Sequence, residues 1–258
     1  MKIFTVNSNL SSPLAATQTE EIDEKRIEAE EQHSVVKTLL LHLVPGVLIY
    51  AIFLATAPLF ESWGYPGIMG LILGSTVVLL PTLAELYRLG KKRNGKLSLK
   101  GIVLYRQRMP WWEYIVWTVL ACVYAYAVLH TIVPLFQERV MGFFTWWPGY
   151  QARLNLGSYP KAHVTIVLAL YIVMNALYPI IEELYFRGFL MPRIARFGAW
   201  TPLISMVLFS LYHLWQPWNN PLNLITLWPL TFLPWKKRNI YLAILIHCAL
   251  NISGMLIK

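Results

Sequence analysis

The stretch HVTIVLALYIVMNALYPIIEELYFRGFL, residues 163–190, decides the kind of fold. Its first part, as far as Ile181, carries no formal charge when His163 is neutral, and it approaches the roughly 20 apolar residues of a transmembrane helix. Two adjacent carboxylates, Glu182 and Glu183, and the guanidinium of Arg187 then follow in the same apolar run. Each such charge at the bilayer centre costs roughly 2.5–3.5 kcal/mol on insertion scales, so these three side chains indicate a functional site.

The composition extends this interpretation to most of the chain. Of the 258 residues, 57% are hydrophobic and 14% are charged, whereas a soluble domain is about 45–50% apolar. Uncharged runs of roughly 17–25 residues recur along the sequence. We therefore predict an all-α polytopic transmembrane helix bundle. Residues 38–258 would form a single membrane domain, and residues 1–37 would form a short cytoplasmic tail that is disordered or a solvated helix.

The apolar runs predict about seven spans, with six and eight as the limits. They cover approximately residues 38–60, 66–87, 113–136, 163–190, 199–216, 222–235 and 239–257. The sixth run is too short to cross roughly 30 Å of hydrocarbon without bilayer thinning or a re-entrant path. Residues 88–108 carry eight Lys or Arg and no acid. The positive-inside rule places this loop and the N-terminus in the cytoplasm, and we predict a multi-pass protein of a bacterial cytoplasmic (inner) membrane.

The charge distribution favours the lipid bilayer as a partner and argues against nucleic acid. The formal net charge is +9. It divides into seven acids and four basic residues in the tail, net −3, and six acids and eighteen basic residues in the remainder, net +12. The basic residues of the remainder cluster in short segments between apolar runs, as in cytoplasmic loops that face anionic lipid.

The two carboxylates have different expected roles. Residues at i and i+4 share one face of a helix, so Glu183 is predicted to pair with Arg187. Glu182 is turned about 100° away from Glu183 and is free to point elsewhere. A sheltered carboxylate without a cation is a candidate general base. Glu182 is therefore the predicted catalytic carboxylate.

Two later apolar runs offer partners for Glu182. His213 lies in VLFSLYHLW, His247 lies in AILIHCALN, and Asn251 follows His247 by one helical turn. Counting at 1.5 Å per residue from the predicted span ends, Glu182 and His247 lie roughly 12 Å deep and His213 roughly 21 Å. These depths allow one buried cluster built from the fourth, fifth and seventh spans. We expect the cluster to open toward the cytoplasmic half.

Three ordered motifs carry a resemblance to a known family. EELYFR, FSLYH and HCALN have the forms EExxxR, FxxxH and HxxxN. In order and spacing they resemble the CPBP family of intramembrane proteases, which includes the eukaryotic CAAX prenyl endopeptidase and bacterial abortive-infection and bacteriocin-processing homologues. The resemblance covers about residues 163–255, the predicted catalytic core.

The resemblance implies a role for each motif residue. In the family the first Glu activates a water, the FxxxH histidine assists it, and the HxxxN pair stabilises the oxyanion. The predicted catalytic residues are thus Glu182, His213, His247 and Asn251, with Glu183 and Arg187 supporting them.

The predicted function is an intramembrane endopeptidase that hydrolyses a membrane-embedded or membrane-anchored peptide, including a lipidated one. Two His and one Glu can also hold zinc with one open position. The sequence therefore leaves two mechanisms open, in which the attacking water is activated either by a glutamate or by a bound metal ion. Two other classes remain. One is a non-proteolytic scaffold or immunity protein of the same fold. The other is a small proton-coupled transporter in which Glu182 and the histidines relay protons.

The aromatic-rich stretch at residues 214–235, LWQPWNNPLNLITLWPLTFLPW, has two interpretations. Trp is enriched where a span meets the membrane surface, so the stretch is most simply an interfacial belt around a short span. Alternatively, it forms the wall of a substrate groove.

Overall fold

A long antiparallel helix pair begins the described part of the protein. The computed structural model describes residues 31–149 and 156–256. The tail prediction for residues 1–37 therefore lies almost entirely outside the described residues. Helix α1 spans Val35–Ser62 and is capped by the Ser34 hydroxyl, which accepts a hydrogen bond from the Lys37 amide. A tight turn connects it to α2, Ile68–Asn94.

Glycines allow α1 and α2 to approach closely. A Cβ atom on Gly70 would lie 2.8 Å from the Ala57 nitrogen, and one on Gly74 would lie 2.7 Å from the Ile49 carbonyl oxygen. Small residues at such contacts are typical of membrane helix pairs, where close backbone packing replaces the hydrophobic effect. The same device recurs at Gly46, where a Cβ would overlap the carbonyl of Tyr212.

The remaining described chain is also helical. Its helices are α3 (Trp111–Thr131), α4 (Val133–Phe143), α5 (Lys161–Glu182), α6 (Thr201–Tyr212), α7 (Asn220–Thr226), α8 (Trp228–Lys237) and α9 (Ile240–Leu256). The only β contacts among the described residues are two isolated bridges. The prediction of an all-α membrane bundle is confirmed.

The backbone between α5 and α6 departs from α-helical geometry. A π-helical segment, Glu183–Leu190, continues directly from α5, and a 3₁₀ segment, Met191–Trp200, follows it. Gly198 has φ +54° and ψ −126°, a conformation that glycine adopts without a Cβ penalty, and the chain turns there into α6. Single π turns inside helices are frequent at functional sites. This one contains both Glu183 and Arg187.

Four described stretches are long and apolar enough to cross a membrane, so the chain is an integral multi-pass membrane protein. They are Val35–Ser62, Ile68–Asn94, Trp111–Thr131 and the 52-residue stretch Lys161–Tyr212, which contains the predicted fourth span and most of the fifth. Ile240–Ser253 is a shorter apolar helix. The predicted sixth span is divided between α7 and α8. The count of seven spans stays a prediction.

The loop between α2 and α3 is folded into the end of the bundle. Residues 102–105 are all buried, and the Leu104 amide donates to the Gly188 carbonyl of the π-helical segment at 2.8 Å. The Ile240 amide at the start of α9 donates to the Tyr105 carbonyl at 2.6 Å. Burial raises the pKa of Tyr105 to about 12. This loop therefore joins the π-helical segment to α9.

Candidate active site

The π-helical segment and the end of α5 place the charged side chains inside the bundle. Glu182 is the last residue of α5, and Glu183 begins the π-helical segment. Glu182 is 7% exposed, whereas Glu183 and Arg187 are 0% exposed. Charges at such positions are retained only when they are paired or used.

Glu183 and Arg187 form the predicted ion pair. Arg187 Nη1 lies 3.2 Å from Glu183 Oε1. Arg187 Nη2 donates to Thr231 Oγ1 at 3.1 Å, and the guanidinium lies 3.8 Å from the centre of the Phe209 ring. The pair therefore connects the π-helical segment to α6 and α8.

Glu182 points away from Arg187, toward α6 and α9. The Tyr212 hydroxyl donates to Glu182 Oε1 at 3.1 Å. Glu182 Oε2 lies 3.9 Å from His247 Nε2, which is too long for a direct hydrogen bond. One carboxylate oxygen is thus held, and the other faces an imidazole.

His247 lies between the two carboxylates. Its Nδ1 is 2.7 Å from Glu183 Oε1. An ionised carboxylate only accepts hydrogen bonds, so Nδ1 carries a proton. In the neutral ring Nε2 is then an acceptor, and in the imidazolium form it is a donor toward Glu182.

His213 follows α6 directly and is half-buried. Its Nδ1 lies 2.8 Å from the Phe209 carbonyl oxygen, which can only accept, so Nδ1 carries the proton. The neutral ring therefore has its acceptor at Nε2. The ring packs edge-on against Phe209 and Tyr212, with centroid distances of 4.8 Å to each.

Asn251 pairs with a second amide across the bundle. Its Nδ2 donates to Asn175 Oδ1 at 3.4 Å, and Asn175 Nδ2 donates to the Tyr171 carbonyl at 2.8 Å. Asn251 lies on α9 one turn after His247, and Asn175 lies on α5 two turns before Glu182. A row of amide groups thus runs along the bundle from the carboxylate.

A cavity of about 1010 Å³ brings most of the predicted residues together. Glu182, His213, His247 and Asn251 line it. Glu183 and Arg187 are fully buried behind this wall and are not among its lining residues. The remaining wall is mostly aliphatic and aromatic, with hydroxyl and amide groups between, as is usual for sites that bind organic molecules.

The stretch at residues 214–235 contributes part of the wall. Its lining residues are Trp215, Gln216, Asn219, Asn223, Thr226 and Leu227. These six residues therefore agree with the second interpretation from the sequence, in which the stretch forms the wall of a groove. The break between α7 and α8, at Leu227, also lies at this wall.

The side chains do not form a ready metal site. Within residues 31–149 and 156–256, no three His, Cys, Asp or Glu side chains are grouped as a metal ion requires. His247 Nδ1 is directed to Glu183, so only Nε2 of this ring faces the cavity. The arrangement of the described residues gives no support for the zinc site that the sequence left open, and no step below passes through a metal.

Three polar residues of this site were not predicted from the sequence. Tyr212 immediately precedes the motif histidine, and Asn175 shares a helix face with Glu182, so both had a local signal in an apolar run. Thr231, which accepts a hydrogen bond from Arg187, lies in the aromatic-rich stretch, where no local sequence signal pointed to it.

A family model matches the part of the chain that carries the predicted catalytic residues. A model described as type II CAAX prenyl endopeptidase, Rce1-like, matches residues 164–253, from the second turn of α5 nearly to the end of α9. This match supports a relationship of residues 164–253 to the CPBP/CAAX protease family. All six predicted site residues lie within the matched region, whereas α1–α4 lie outside it. Neither the curated proteins nor the solved structures contain a significant match to the chain.

The match supports a CAAX-type intramembrane protease at the family level. That family implies a bilayer environment and a membrane-associated substrate.

Proposed function

We propose that the chain is an intramembrane endopeptidase that hydrolyses a peptide bond of a membrane-associated or lipidated polypeptide, with Glu182 as general base. The observation that carries the proposal is the arrangement of Glu182. Tyr212 holds one of its oxygens, and the other faces His247 across 3.9 Å at the wall of the cavity. The family match supports the reaction class.

The gap between Glu182 and His247 suits one water. Glu182 Oε2 and the Nε2 of neutral His247 are both acceptors, and a water donates to two acceptors at once. A separation above 3.5 Å is the distance at which such a bridge is expected. His213 lines the same cavity, so its imidazole can contact the substrate there.

The reaction follows general base catalysis. Glu182 takes a proton from the water while the water oxygen bonds to the substrate carbonyl carbon. The Asn251 amide donates to the resulting oxyanion, and neutral His247 keeps accepting a hydrogen bond from the hydroxyl group that the water has become. Glu182 then transfers its proton to the amide nitrogen as the C–N bond breaks. The products are a new carboxyl terminus and a new amine.

Cleavage of membrane-tethered peptides in proteoliposomes tests the proposal against its alternatives. We expect two product peptides by mass spectrometry, with ¹⁸O from labelled water in the new carboxyl group. His213→Ala and His247→Ala should each lower the rate by about 10²–10³-fold, as removal of one transition-state hydrogen-bonding group does.

Other results in this assay identify the alternatives. Solute flux without peptide product indicates a transporter, and the absence of both indicates a non-proteolytic scaffold. Addition of 1,10-phenanthroline should leave the rate unchanged, because no three ligating side chains are grouped in the described chain.

Replacement of Tyr212 by Phe tests how Glu182 is positioned. The Tyr212 hydroxyl donates to Glu182 Oε1 in a fully buried environment. A hydrogen bond to a charged group contributes about 1.5–3 kcal/mol, so we expect kcat to fall about 10–100-fold. KM should stay unchanged, because Tyr212 does not line the cavity.

Tyr185→Phe is the matched control for Tyr212→Phe. It also removes a largely buried hydroxyl, which donates to the Leu41 carbonyl at 2.8 Å and does not contact the site carboxylates. Its kcat should equal that of the wild type. Equal kcat losses in the two variants, or a change confined to KM, would show that Tyr212 acts only through packing.

A further inference from the structure

The basic segments meet at one end of the bundle. Arg193 of the 3₁₀ segment donates to the Ile102 carbonyl of the α2–α3 loop at 3.2 Å. The Gln107 amide of that loop donates at 3.0 Å to the carbonyl of Arg238, which follows α8. Three segments that are far apart in sequence thus form one surface, the basic end. Its cationic residues include Lys91, Lys92, Arg93, Arg106, Arg193, Lys237 and Arg238.

Most of the cavity lies in the half of the bundle farther from the basic end. At a rise of roughly 1.5 Å per residue, Ser75 lies about 29 Å along α2 from Asn94, where the basic loop begins. Cys122 lies about 16 Å along α3 from Trp111, and His247 about 10 Å along α9 from Ile240. On α2 and α3 the lining residues are confined to the half farther from the basic end, and on α9 they run from its middle, at His247, toward the far end.

Packed side chains occupy the region between Glu182 and the basic end. One core cluster contains Val103, Phe186, Leu190, Ile240 and Ala243, all 0% exposed. The loop that carries Val103 is hydrogen-bonded to the π-helical segment at Gly188, which lies between the two carboxylates and the basic end. A peptide that approached from the basic end would have to displace this cluster.

The opposite end carries polar groups suited to a peptide. Gln216, Asn219 and Asn223 follow α6 and line the cavity there. Trp147 of the α4–α5 connection donates to the Leu214 carbonyl at 3.1 Å, so this connection also lies beside that end. Side-chain amides both donate and accept hydrogen bonds, which matches the backbone of an extended peptide.

We propose that the scissile segment of the substrate reaches Glu182 from the end opposite the basic end. The positive-inside rule places the basic end in the cytoplasm, so the substrate is a polypeptide segment presented at the non-cytoplasmic side of the membrane. This differs from the expectation from the sequence, which placed the opening in the cytoplasmic half. The inference rests on the proposed endopeptidase function.

Sided cleavage tests the inference. The two native cysteines of the full chain are first replaced, by Cys122→Ser and Cys248→Ala. A single new cysteine, Lys96→Cys in the exposed α2–α3 loop, then marks the orientation of the protein in the membrane. Membrane vesicles of each orientation are sorted by labelling with an impermeant maleimide. A peptide library anchored by two acyl chains, which hold it in the leaflet of addition, is then added from outside.

Cleavage is expected only in vesicles whose Lys96→Cys thiol is inaccessible from outside, with loss of cleavage in the other orientation. Cleavage confined to vesicles with an accessible thiol, or equal in both, overturns the inference. The same library in detergent separates this failure from that of the proposed function, because an enzyme with the wrong access side still cleaves in detergent.

A second measurement does not depend on activity. Asn223→Cys, in the same background, places a thiol at the cavity wall. Impermeant maleimide should label it from the side opposite to the Lys96→Cys thiol, and addition of the peptide library should slow the labelling. Labelling of both thiols from one side contradicts the proposal even if no peptide is cleaved.

Discussion

Glu182→Gln is expected to lower kcat for peptide cleavage by at least about 10²–10⁴-fold, the contribution of a general base. Glutamine has nearly the same shape and still accepts the hydrogen bond that Tyr212 donates to Glu182 Oε1. It cannot take a proton from water. Because shape and one hydrogen bond are kept, KM for the peptide should change little. Single-turnover cleavage of the membrane-tethered peptide measures the loss.

Glu85→Gln is the control for this loss. Glu85 lies on α2 and forms an exposed ion pair with Arg88, far from the cavity lining. Exposed pairs of this kind contribute little to stability, so both rate and folding should match the wild type. Wild-type turnover by Glu182→Gln would falsify the general-base mechanism, and flux measurements on that variant would then become the decisive experiment.

Arg187→Met is expected to have the largest effect on stability. The variant leaves Glu183 as a fully buried carboxylate without its cation, and it removes the hydrogen bond to Thr231 and the contact with the Phe209 ring. Removing one partner of a buried ion pair costs about 3–5 kcal/mol. Equilibrium unfolding in mixed micelles, followed by tryptophan fluorescence, measures the change in unfolding free energy.

The double variant Glu183→Gln/Arg187→Met tests the physical cause. Glutamine removes the unpaired charge and still accepts from His247 Nδ1, so the double variant should be more stable than Arg187→Met alone. Arg88→Met, at the exposed pair, should have little effect. If the double variant is less stable than Arg187→Met, the loss arises from packing of the methionine rather than from the uncompensated carboxylate.

Local patterns in the sequence were sufficient to predict the fold class and the ion pair between Glu183 and Arg187. Apolar runs of membrane length predict helices because no other single segment satisfies its backbone polar groups within lipid. The spacing of Glu183 and Arg187 predicts their contact because both lie on one helical face. That contact is present, although the segment is π-helical.

Other site contacts depended on how separate helices pack. The Tyr212 hydroxyl reaches Glu182 because α6 packs closely against α1 at Gly46 and faces α5. The position of His247 between two carboxylates depends on the rotation of α9. Rotation about a helix axis has no signature in the helix's own sequence when the apolar positions run all round it, as they do in α9.

From the sequence alone came the membrane helices, the three motifs and the pairing of Glu183 with Arg187, because each depends on composition or on neighbours within a few residues. The tertiary structure alone decided which carboxylate oxygen Tyr212 holds, that six residues between Trp215 and Leu227 line the cavity, and that most of the cavity lies away from the basic end. These features depend on the relative depth and rotation of helices distant in the chain, which are set by packing between them.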